Sequence, residues 1–86
     1  MTATAPEAPA ATYREHTAAE NAAGLLATDT AAYGRAIGRH YGAMQRHMDP
    51  IERTAVLAFA EEVTAFEVRM AEFARKHHRA AERADQ

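Results

Sequence analysis

Eighty-six residues carrying a formal charge of −2 make one domain at most, with a modest core unless the chain associates with a second copy. The absence of cysteine excludes disulfides and thiolate metal sites and leans towards a cytoplasmic location, and the near-neutral balance excludes a global pull towards nucleic acid or membrane. The N-terminus has neither a basic start nor an apolar run, and no window approaches the roughly 20 apolar residues of a spanning helix, so neither secretion nor insertion is expected.

In chain order, residues 1–11 are mostly Thr, Ala and Pro, with Pro6 and Pro9, a composition that buries too little surface to offset its ordering entropy, and they read as a flexible tail. Residues 12–86 form the helical domain. Thr12-Tyr13-Arg14-Glu15 and Thr17-Ala18-Ala19-Glu20 both have the form of a capping box, so a helix starts at one of them. It runs through an Ala-rich segment towards Met48, with Thr28-Asp29-Thr30 as the one place where a new cap could break it. Its second half carries Tyr33, Ile37, His40 or Tyr41, Met44 and Met48 at helical spacing. The same half carries Gly34, Gly38 and Gly42, each costing roughly 1 kcal/mol against Ala inside a helix. Such a row reads either as a loose helix or as a place where a partner side chain approaches the backbone closely.

Asp49-Pro50-Ile51-Glu52 then ends one helix and begins another. Pro disfavours helical geometry in the residue before it, the Asp can cap, and the Glu stands at the third helical position. The helix over residues 50–84 carries the clearest periodicity of the chain. Val56, Phe59, Val63, Phe66, Met70 and Phe73 alternate in steps of three and four, the period of a helix–helix seam, and His77, Ala80 and Ala84 continue the line.

A connection this short makes antiparallel neighbours, so the fold class is all-α: a long, coiled-coil-like helical hairpin with arms over residues 12–48 and 50–84. Folding back at Asp49 sets Arg46 against Glu52, brings Glu15 and Glu20 to the basic end of the second arm, and lays Phe59 over Gly38. The alternative is a three-helix bundle folded at Thr28–Thr30. Ile51, Leu57, Val68 and Tyr41 lie off the seam, and so little bulk per monomer predicts a dimer that completes a four-helix bundle.

Three constellations are candidates for chemistry. His40 and His47 share a helix face, and His77 and His78 stand near Glu20, but no two histidines have the three- or four-residue spacing of a chelating pair and Glu-x-x-His does not occur, so neither metal nor cofactor is expected. Arg75, Lys76, Arg79 and Arg83 would supply phosphate contacts, yet Glu72, Glu82 and Asp85 dilute them, and a helix C-terminus attracts positive charge in any case. Glu61, Glu62, Glu67 and Glu72 alternate with Arg69 and Arg75 as on a solvated helical face, with no nucleophile beside them. No enzymatic activity is expected. The sequence reads as a non-catalytic helical module for protein–protein interaction or oligomerisation, structural or adaptor in role, whose seam pairs with another copy or with a helix of a larger assembly. A small nucleic-acid-associated regulator using the basic C-terminal end is the alternative.

Overall fold

A computed structural model of the chain describes residues 11–85; the expected tail, apart from Ala11, lies outside them. Among the described residues there are two helices, α1 (Tyr13–Met44) and α2 (Pro50–Asp85), joined through a 3₁₀ turn over Gln45–His47, and no strand. The helices pack as an antiparallel hairpin, with His16 and Glu20 of α1 meeting His77 and His78 of α2. Neither is long and apolar enough to cross a membrane.

Both helices begin as their sequences predict. Thr12 Oγ1 accepts from the Glu15 N–H at 3.2 Å while the Glu15 carboxylate accepts from the Thr12 N–H at 3.3 Å. At α2, Asp49 Oδ1 accepts from the Glu52 N–H at 2.8 Å and Glu52 Oε1 accepts from the Asp49 N–H at 2.9 Å. Each box satisfies amide donors that have no partner within the helix. The Glu52 carboxylate is committed to this cap, and Arg46, expected to lie against Glu52, forms no ion pair with it.

The break considered at Thr28–Thr30 is not made, and α1 continues through it. The Thr28 hydroxyl donates to the Gly24 carbonyl at 3.0 Å and the Thr30 hydroxyl to the Leu26 carbonyl at 2.7 Å. Both side chains turn back along the helix instead of capping a new one. At its far end α1 stops at Met44, four residues short of the expected boundary. The chain tightens into the 3₁₀ turn, and Met48 is extended (φ −105°, ψ 141°) before the cap of α2.

The seam is built from small residues. On α2 the buried and half-buried positions are Arg53, Val56, Ala60, Val63, Phe66, Glu67, Met70, Ala71, Ala74, His77, Ala80 and Ala81, and Val56, Ala60, Val63, Glu67, Met70, Ala74, His77 and Ala81 among them follow one another in steps of four and three. The expected line shares Val56, Val63, Phe66, Met70, His77 and Ala80 with the covered set, whereas its Phe59, Phe73 and Ala84 are exposed and the residues next to them in the helix, Ala60 and Ala74, are covered instead. Helix spacing depends on the side chains at the contact. Alanine at Ala60, Ala74 and Ala81 lets the backbones approach, whereas phenylalanine there would hold them apart. The only buried residues among those described are Ala23, Val63 and Ala81.

This choice rotates the phenylalanines away from the glycines. A Cβ built at Gly38 meets nothing within 4 Å, so Gly38 does not lie beneath Phe59. The Phe59 ring stands edge-on to Tyr33 instead, with centroids 6.1 Å apart. Gly34 is the glycine of the seam: a Cβ there would touch Val63 Cγ1 at 3.7 Å, an ordinary contact.

Candidate interaction surface

Phe59, Phe66 and Phe73 recur every seven residues, which is two helical turns, so they form a stripe along one edge of α2. On α1, Leu26, Tyr33 and His40 recur at the same interval. The hairpin brings the two stripes onto one face. Tyr33, Phe59 and Phe66 line an open groove of about 480 Å³ with Asp29, Glu62 and Arg69 at its margins. Tyr33 and Phe59 also line the adjoining groove of about 390 Å³, which runs to Ile37, His40 and Met44. Half-covered aromatic rings are the mark of this face: Phe59 is 46% exposed, Phe73 40% and Tyr33 54%. The opposite face differs. Its groove is lined by Thr30, Arg35, Thr64 and Glu67 beside small residues.

The residues expected to form one interaction seam are therefore divided. Val56, Val63 and Met70 lie against α1 within the chain, while Phe59, Phe66 and Phe73 border the aromatic face. Of the apolar residues read as surplus, Ile51, Leu57 and Val68 are exposed at scattered positions away from this face, and Tyr41 is half-buried beside His40.

At the open end of the hairpin His16 Nδ1 lies 3.0 Å from His77 Nδ1, and the His77 ring stacks obliquely on Phe73 with centroids 4.3 Å apart. Of two facing ring nitrogens one must carry the proton and the other the lone pair, so this contact needs at least one neutral imidazole. His78 Nδ1 meets Glu20 Oε1 at 2.9 Å and its Nε2 meets Glu82 Oε1 at 3.0 Å. The sequence places His77 and His78 near Glu20, and His78 meets it; His16 is the member that this reading omits. His16–Glu20 and His78–Glu82 are each four residues apart, a spacing legible in the sequence once carboxylates are included. Adjacent residues on a helix point about 100° apart, so His77 enters the seam while His78 stays on the rim. Among the described residues no group of three or more His, Cys, Asp or Glu side chains converges where a metal ion could be held.

The basic residues are interleaved with this cluster in the chain. Arg75, Lys76, Arg79 and Arg83 are all exposed, and none forms a salt bridge among the described residues. Glu61, Glu62 and Glu72 are likewise exposed, and Glu67 is half-buried at the seam. His47 is exposed in the 3₁₀ turn.

Arg53 is a structural residue that helical periodicity does not mark. Its Nη1 donates to the Gln45 carbonyl at 3.3 Å and to the Met48 carbonyl, tying the turn to the first coil of α2. Comparison of the chain with protein-family models, with curated proteins and with solved structures finds no match in any of the three.

Proposed function

We propose that the protein is a small non-catalytic helical module for protein–protein interaction or oligomerisation, and that its working surface is the aromatic face. The observation that carries this reading is the mismatch between a thin core and a rich edge. Two alanines and one valine are buried, while Leu26, Tyr33, Phe59 and Phe73 remain about half exposed on one side. Apolar burial is worth roughly 25 cal/mol per Å², so covering these neighbouring side chains together would stabilise the chain further. Contiguous apolar patches of this kind mark interaction sites, whereas singly scattered apolar residues do not. Sedimentation velocity at micromolar concentration tests it: a species of at least twice 9.4 kDa supports oligomerisation, and a fully helical monomer that binds no other helix overturns the reading.

The exposed and unbridged Arg75, Lys76, Arg79 and Arg83 favour the second reading, a nucleic-acid-associated regulator. A gel shift whose affinity falls steeply with added salt is its signature.

A further inference from the structure

The aromatic face is laid out so that it matches its own reverse. Phe59 and Phe73 stand seven residues to either side of Phe66, so turning α2 end for end about Phe66 superimposes the stripe on itself. The two charges beside it are arranged the same way. Glu62 precedes Phe66 by four residues and Arg69 follows it by three, both are exposed, both line the groove that contains Phe66, and neither forms a salt bridge among the described residues. Being seven residues apart, they lie about 10 Å from each other along the helix, too far to pair within the chain.

We infer that the occupant of this face is a second copy of the same chain, stacked face to face about a two-fold axis beside Phe66, with α2 running antiparallel to the partner's α2. The inference rests on the oligomerisation reading above and specifies its geometry. In this arrangement Phe66 meets the partner's Phe66, Phe59 meets the partner's Phe73, and Glu62 meets the partner's Arg69, with each unlike contact made twice because the interface is isologous. Size agrees. Two helices about 50 Å long, side by side and about 20 Å across with their side chains, offer a face of about 1,000 Å², against the roughly 800 Å² per partner of a stable interface. The other stacking, α2 over the partner's α1, would set Arg69 opposite the partner's Asp29 and leave Glu62 without a cation. The Phe66-centred arrangement pairs Glu62 with Arg69 but leaves Asp29, which lines the same groove, without a cation, so each stacking leaves one carboxylate unpaired. The rings decide between them, because only the Phe66-centred arrangement stacks Phe59, Phe66 and Phe73 on one another.

Charge exchange in the full chain tests it, read by sedimentation equilibrium, with circular dichroism verifying helicity. Glu62→Arg and Arg69→Glu each replace two attractive contacts by two repulsive ones, and each should weaken self-association about tenfold or more at low salt. The double variant Glu62→Arg/Arg69→Glu should recover it, and an equimolar mixture of the two single variants should form the heterodimer in preference to either homodimer. Phe66→Cys, in a chain with no other thiol, should oxidise to a disulfide-linked dimer, while Val68→Cys, on the exposed side of α2, should not. A wild type that stays monomeric overturns the oligomerisation reading itself. A dimer indifferent to both swaps and uncrosslinked at Phe66→Cys leaves that reading standing and overturns the two-fold. Loss with Arg69→Glu alone assigns the α2-over-α1 stacking and overturns it as well.

Discussion

Arg53 does the most for the turn of any single side chain. The Gln45 carbonyl accepts the Met48 N–H at 3.2 Å, and the half-buried Arg53 guanidinium adds a second donor to it and donates as well to the Met48 carbonyl. Hydrogen bonds from a charged donor are each worth more than neutral ones, with solvent access reducing the gain. Arg53→Ala should therefore lower stability by about 1–2 kcal/mol in denaturant melts. Arg53→Lys should recover only part of this, because a single ammonium lacks the planar fork of guanidinium. The Asp49 cap is a parallel case. Removing it by Asp49→Ala frees the Glu52 amide and should cost about 1 kcal/mol by the same measurement.

At the scale of the helices, the outcome turned on which neighbour of Val56, Val63 and Met70 joins them in the seam. A residue three positions on and one four positions on are about 100° apart around the helix, and both sets are apolar here. Apolar bulk favours the phenylalanines; close packing favours the alanines. The structure takes the alanines, and Gly38 consequently points into open space. Gly38→Leu is then a gain in helix propensity without a clash, and it should raise stability by up to about 1 kcal/mol, read as a higher unfolding midpoint. A lowered midpoint would place a side chain over Gly38 and contradict the packing described.

The whole molecule is a two-helix layer with one apolar face, and a single hairpin has no second layer to cover it. Its stability should therefore depend on concentration, since whatever binds only the folded state raises the melting temperature by mass action. Thermal melts across a hundredfold range of protein concentration should show a rising midpoint. In Phe59→Gln/Phe73→Gln the midpoint should become flat, with helicity retained, because each ring keeps more than a third of its surface outside the hairpin. A double variant that unfolds outright at all concentrations would show instead that the rings hold the monomer together.

The sequence by itself determined the all-α class, the fold-back at Asp49-Pro50 and the start of α2, and it narrowed the start of α1 to two capping boxes. These depend on contacts within four residues: Thr12 with Glu15, Asp49 with Glu52, Pro50 at the first helical position, and a run of apolar residues at the period of a helix. Met44 as the end of α1, the continuity through Thr28–Thr30, the Arg53 clamp and the meeting of His16 with His77 were decided only by the tertiary structure. So was the division of the expected seam, with Val56, Val63 and Met70 inside the hairpin and Phe59, Phe66 and Phe73 along its edge. Periodicity reports how often apolar residues recur around a helix, but not how closely the neighbouring backbone will approach. That distance follows from the small side chains on both helices together, and it left the seam to alanine and glycine and the aromatic rings for the outer face.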